Sequence, residues 1–549
     1  MKKHTSYIKH HTRSVLCTLC SVLLMTSCND FLTVEPESQL ATENFYKSPA
    51  NIDQALVGLY GTLKPFAKYW YVMSELRSDN MFEIKEAKQY DAADCAQFNA
   101  TGLLNDNIVA NCWADHYTLI AAANVLLDKL PQVEFSDARY QQQYEAEARF
   151  LRALAYFDLV RFYGRVPLSL HELTIAEAFE LGQSEPDKIY NVAIVPDLTY
   201  AVNHLQETAV DFKGNPHIER ASKNAAEALL GKVYLQMAGY PLFADTQDSA
   251  MVCFKHVLDE AEAKNRYWTD DIKTWNNMWI HENDNTHFIF EIQYECAASQ
   301  GNPVSPLAKL SNTAADEYCN AYLTNGNHFY VERELQQHFL EQKENPAANE
   351  YIYKDLRGEW TIAFGGASID EETGEVQIPD NDRNNYMFKH FEHKLKRAGL
   401  GYGDMDKEIV SYTYWPQNFP VLRIEDIALL YAECAGAAKG LPYLNRVRAK
   451  AGLATFAGMD EDSFQEAVKQ ERRYELLGEG HRWFDQVRQN TFVQDSKQKF
   501  ITYRDKYDAA HSNDYTVYAS RVSQYSALYP IPLSQIQVRD GLYTQNPGY

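Results

Sequence analysis

Residues 222–264 read SKNAAEALLGKVYLQMAGYPLFADTQDSAMVCFKHVLDEAEAK, and this stretch decides the fold. Ser222 is a helix-capping residue, and the apolar spacing after it predicts a helix to about Ala238. A second helix is predicted from Asp248 to Lys264, after the Gly- and Pro-punctuated segment 239–245. Leu230-Gly231-x2-Tyr234 in the first helix faces Ala250-x3-Phe254 in the second. The glycine has no side chain to hold the helices apart, and the aromatic ring fills the space beside it.

Pairs of this kind are the unit of tetratricopeptide solenoids, here with a longer spacing between the two halves. Arg152-Ala153-x2-Tyr156 is a weaker echo of the same pattern. Further helices are predicted over 107–130, 140–163, 186–205 and 425–439, with one or two more over 462–488. In the 107–130 helix Trp113, Leu119, Ile120, Val125 and Leu126 form the buried stripe, and Pro131 stops it. The reading is a mainly α protein built on tetratricopeptide-like helical pairs. Between about 267 and 418 helical stripes become rare and Gly, Asn, Asp and aromatics frequent, with one strand-like run, FIFEIQY, over 288–294. So long an irregular region inside a compact protein points to function. Residues 529–549 are punctuated by Pro and Gly and are expected to lie flat on the body.

The chain has 549 residues, 45% hydrophobic and 23% charged, ample apolar material for a core and unlike a disordered chain. Its net charge of -23 argues against nucleic acid as a partner, because phosphates call for a basic face. Lys2, Lys3, Lys9 and Arg13 precede an apolar run over 15–25 and then Thr26, Ser27 and Cys28. The run is shorter than the roughly 20 residues of a membrane span. A basic start, an apolar run and small residues before the cut describe a secretory signal. A cysteine directly after them makes it look like a bacterial lipoprotein signal over 1–27, in which Cys28 begins the mature chain and carries the lipid. Met25 stands where such signals usually have Leu. The cysteines beyond it, Cys95, Cys112, Cys253, Cys296, Cys319 and Cys434, are scattered without zinc spacing; disulfides and buried thiols both remain open.

Several segments, in their order, carry a resemblance. Cys28 is followed by NDFLTVEPESQLATENFYKSPANIDQALVGLY; later come RIEDIALLYAECA (423–435), YLNRVRAKAGL (443–453), ERRYELLGEGHRWFDQVRQ (471–489) and the closing YPIPLSQIQVRDGLYTQNPGY. Together they resemble the SusD/RagB family of Bacteroidetes outer-membrane lipoproteins over nearly the whole mature chain. The resemblance implies a right-handed superhelical scaffold of tetratricopeptide-like pairs carrying a large, loop-built second region. It divides the chain into a signal (1–27), an N-terminal helical part (28–265), a loop-rich candidate ligand region (266–420) and a C-terminal part (421–549). It implies a cell-surface protein, anchored in the outer membrane by lipid, that captures a glycan and passes it to a SusC-like TonB-dependent transporter. It implies a binder without cofactor or metal rather than an enzyme. A peptide-capturing module and a glycoside hydrolase are the alternatives.

The residues carry no G-x-S-x-G, H-E-x-x-H or phosphate-loop motif. Asp380-x-Asp382-x-Asn384 opens like a calcium loop but has Phe391 where the closing Glu would stand. The 471–489 segment reads as structural: Glu471 and Glu475 share a helix face, Trp483 and Phe484 are apolar knobs, and Arg472, Arg473, Arg482 and Asp485 can pair. A sugar site needs flat aromatic faces and planar polar groups. Two regions offer both. The first holds Trp70, Asp79, Asn80, Phe98 and Asn99; family members place sugar contacts near Asp79 and the 98–99 pair, with Trp where this chain has Phe98. The second, within the irregular region, holds Trp275, Trp279, Tyr318, Tyr322 and Trp360.

Overall fold

The computed structural model describes residues 45–83, 92–279, 286–295, 301–304, 329–342, 351–364, 368–369, 376–377, 385–387 and 417–549. Its longer helices are α1 (Pro49–Gly61), α2 (Asn107–Lys129), α3 (Ala138–Tyr163), α4 (Val195–His204), α5 (Lys223–Ala238), α6 (Gln247–Lys264), α7 (Ile424–Ala435), α8 (Ala437–Lys450), α9 (Glu461–Glu475), α10 (Arg482–Arg488), α11 (Phe492–Thr502) and α12 (Ser512–Arg521). The strands used below are β1 (Met81–Glu83), β2 (Phe288–Ile292), β3 (Phe329–Val331) and β4 (Phe419–Arg423). The protein is mainly helical, as its periodicity predicts. No helix among the described residues is long and apolar enough to cross a membrane.

Successive helices pack on one another: α2 on α3, α3 on α4, α4 on α5, α5 on α6, α6 on α7 and α7 on α8. Ser222 caps α5 through its hydroxyl, which accepts from the backbone of Ala225, and Asn265 closes α6 in the left-handed region at φ 48°. A methyl group on Gly231 would stand 2.6 Å from the Phe254 ring, so the small residue and the aromatic meet as the sequence pattern requires. Gly440 repeats the device between α8 and α7, where a Cβ would lie 2.7 Å from the backbone of Ala432.

α3 is buried on nearly every side from Phe150 to Tyr163. Its internal charges are therefore matched. Arg152 forms a fork with the Asp197 carboxylate at 2.8 and 2.9 Å, and Asp158 accepts from Trp70 and pairs with His116 and Arg161.

Two helix boundaries differ from the sequence expectation. The segment expected as one helix over 186–205 contains a π-turn at Tyr190–Ile194 before α4; Pro196 lacks the N–H that a regular turn would need there. The helix expected over 425–439 is two, because Gly436 adopts φ 70° and separates α7 from α8. β2, read from the sequence as strand-like, pairs antiparallel with β4. Both strands are buried along their whole length, which explains their near-continuous apolar character. The tail beyond Tyr529 holds one short helix, Leu533–Ile536.

Cys95, Cys112, Cys253 and Cys434 are free thiols, and burial raises Cys253 and Cys434 to about 12. Cys28, Cys296, Cys319 and the 380–384 motif lie outside the described residues.

Candidate functional site

The first predicted region folds around the signature segment. Asp79 receives a two-pronged contact from Arg482, Nε at 2.7 Å and Nη2 at 2.9 Å. Arg473 donates to the Asp79 carbonyl at 2.6 Å and to Asn80 Oδ1 at 2.9 Å. Burial opposes the charge on Asp79, but Arg473 and Arg482 hold its carboxyl well below the usual range. Beside it, burial raises Glu332 to about 7 and lowers Lys499 to about 8.

Phe98 occupies the left-handed region at φ 53°, an uncommon conformation for a bulky residue. Its ring lies under the Arg77 guanidinium at 4.4 Å and 5.8 Å from Trp483. The turn leaves Asn99 half-buried at the rim, its amide donating to Asp94 at 2.6 Å. The structure thus gathers Asp79, Asn80, Phe98 and Asn99 around Arg77, Arg473, Arg482 and Trp483. Trp70 is elsewhere: its indole N–H donates to Asp158 at 2.8 Å, and its Cβ leaves no room for a side chain on Gly480.

The second region divides. Tyr318 and Tyr322 lie outside the described residues, as does the side chain of Trp360, whose backbone belongs to a single turn at Gly358–Thr361. Trp275 and Trp279 are interior. The Trp275 indole donates to Glu475 Oε1 at 2.9 Å, and Trp279 packs edge-on against it at 5.6 Å. The expectation of open stacking faces at Trp70, Phe98, Trp275 and Trp279 is corrected by burial: all are closed off from solvent, and both indoles of the Trp70 and Trp275 pair are anchored on buried carboxylates that need donors.

Glu475 is the centre of that requirement. Besides Trp275 it receives Arg357 at 2.7 Å, Arg423 at 3.1 Å and Lys450 at 3.0 Å. Arg423 also engages Glu425 and Glu479, both at 2.8 Å, and Arg357 engages Asp355. These groups are almost wholly buried. The lattice ties residues 269–279 and 355–357 to α8, α9 and β4, so Glu475 and Glu479 of the 471–489 segment serve the framework. Burial and the nearby Lys232 lower His481 to about 4. No group of three metal-ligating side chains occurs among the described residues.

The sequence reading did not anticipate one open surface. A cavity of about 580 Å³ lies between the outer face of α2 and the tail, lined by Trp113, Tyr117, Phe179, Val538, Leu542 and Tyr543 among others. Trp113 belongs to a core stripe and the tail reads as coil, so only their meeting in space creates the groove. The Asn124 amide there is satisfied by the carbonyls of Ser169 and His171.

Comparison with known proteins matches this architecture. The sequence model of the SusD family matches residues 274–549, and one described as starch-binding and associating with the outer membrane matches residues 30–235. The chain is similar to SusD-like protein P25 of Formosa agariphila, 25% identical over 95% of this chain and 97% of that one. A crystal structure of a SusD homologue from Bacteroides thetaiotaomicron superposes with a TM-score of 0.73 at 23% identity, covering 93% of this chain and 99% of that one. A laminarin-binding SusD-like protein superposes with a TM-score of 0.64 at 23% identity, covering 92% and 100%. SusD-family proteins are non-catalytic binding proteins associated with the outer membrane. Fold, signature segment and full-length similarity agree: this chain belongs to the SusD family.

Proposed function

We propose that this protein captures a glycan at the cell surface and passes it to a SusC-like TonB-dependent transporter, held at the outer membrane by lipid on Cys28. The observation that carries this reading is the pair of family matches that together span residues 30–235 and 274–549, one of them described as starch-binding at the outer membrane. The ligand surface we assign is the edge around Asp79 and Asn99. Arg473, Arg482 and Asp79 each retain about a tenth of their side-chain exposure there, and the half-buried Asn99 and Asp94 stand at its rim. Planar amide, guanidinium and carboxylate groups pair with sugar hydroxyls. Tyr318, Tyr322 and Trp360 are the candidates for stacking. Trp70, Trp275 and Trp279 serve the framework instead.

The test is native affinity electrophoresis of the mature chain without its signal, in gels containing starch, laminarin or other polysaccharides. Retardation by at least one glycan, without released reducing ends, is expected. Free migration through a broad panel would overturn the reading, and product release would replace it with a hydrolase.

A further inference from the structure

A second pocket, of about 240 Å³, opens at the C-terminal end of α3, between the α5–α6 connection and the tail. None of Asp79, Asn80, Phe98 and Asn99 lines it. Its walls include the rings of Tyr190, Tyr240, Phe484 and Tyr525. Tyr240 is fixed by its backbone N–H, which donates to the Arg488 carbonyl at 2.9 Å. Tyr525 is 58% exposed, so one wall presents an aromatic ring to solvent.

The polar groups in this pocket point to a ligand. Gln236 is 7% exposed, lines the pocket, and its side-chain amide has no hydrogen-bond partner among the described residues. That amide is open to a partner from the pocket. Arg161 also lines the pocket, clamped between Phe157 at 3.9 Å and Phe484 at 3.6 Å. It donates through Nε to Phe157 and through Nη2 to Asp158; its Nη1 makes no hydrogen bond among the described residues.

We infer that this pocket binds a single pyranosyl unit of a glycan, as a subsite separate from the Asp79 edge. The inference rests on the glycan-capture reading. The pocket is smaller than the roughly 300–1,000 Å³ of sites for drug-sized ligands, which suits one ring rather than a chain. A sugar offers an apolar C–H face to Tyr525 and Tyr240. Its hydroxyls both donate and accept, so they satisfy the Gln236 amide and the Arg161 Nη1 together. A proline ring would fill the same volume but carries no donor, leaving the Gln236 carbonyl unpaired.

The experiment combines saturation-transfer NMR, using methyl glycosides of common hexoses, with affinity electrophoresis on the retarding glycan. The mature chain should transfer saturation to the ring protons of at least one glycoside. Tyr525→Ala and Gln236→Leu should each weaken that signal about tenfold, and Tyr525, being exposed, can be removed without disturbing the core. If both variants transfer saturation and migrate like the parent, or if the parent transfers none while still retarded, the subsite is overturned and glycan capture stands. A parent chain retarded by no glycan overturns the capture reading itself. Saturation of a proline-rich peptide, lost in Tyr525→Ala, with none of any glycoside, replaces the sugar subsite with a peptide site.

Discussion

At position 231 the distance between a would-be Cβ and the Phe254 ring is 2.6 Å, and the ring is fully buried. Replacing a helical glycine adds up to about 1 kcal/mol of backbone preference, but overpacking costs about 1–3 kcal/mol, and the β-branched Val side chain has few ways to turn aside. Gly231→Val is therefore expected to lower stability by about 2 kcal/mol, read as a lower denaturation midpoint. His481 supplies a pH signature. Burial and Lys232 hold its folded value at about 4, against an ordinary 6.5. Between pH 6.5 and 4 the folded chain thus binds fewer protons at this site than the unfolded chain, and acidification through that window removes stability. At about 1.4 kcal/mol per unit the contribution is roughly 3 kcal/mol. Glu147 and Glu332, both raised to about 7 by burial, act with the opposite sign over an overlapping range. The readout is accordingly the difference between the parent and His481→Gln: the variant should lose less stability on acidification. Equal pH profiles would show that the imidazole does not titrate in this way.

At the scale of elements, the lattice around Glu475 fastens the 269–279 and 355–357 segments to α8, α9 and β4. Truncating one member of a buried ion cluster costs about 3–5 kcal/mol because its partners stay buried and unpaired. Arg423→Ala should therefore unfold the protein at markedly lower temperature, a loss visible in a calorimetric scan. Trp275→Ala removes both a donor to Glu475 and a large buried ring, with an expected loss of about 3–5 kcal/mol. Any fraction of Trp275→Ala that remains folded should bind the retarding glycan with the parent's affinity, since the ring faces the interior; a specific loss of retardation with unchanged stability would return Trp275 to the ligand surface. The helices themselves were legible from periodicity and caps: Ser222 and the Gly231–Phe254 pair act as their types imply. The division between α7 and α8 was not, because a single glycine inside an apolar pattern tolerates either helical or left-handed backbone, and packing chooses.

At the scale of the whole molecule, the proposed lipid anchoring rests on residues 1–28 and the proposed ligand surfaces are gathered from distant parts of the chain. Cys28→Ala is expected to move the protein from the membrane pellet to the soluble exported fraction; continued sedimentation with membranes would refute lipid anchoring at that position. The amino-acid pattern by itself determined the helical class, the packing of glycine against aromatic and the family, because these rest on local spacing and on the order of segments along the chain. Only the tertiary structure decided which aromatics face solvent. Trp275 and Trp70 have the composition of a sugar platform, yet each donates to a carboxylate 200 and 88 residues away. The pocket beside Gln236 likewise forms from segments near 161, 190, 240 and 525. Burial is a property of what packs around a side chain, and a linear sequence does not state which distant segments those are.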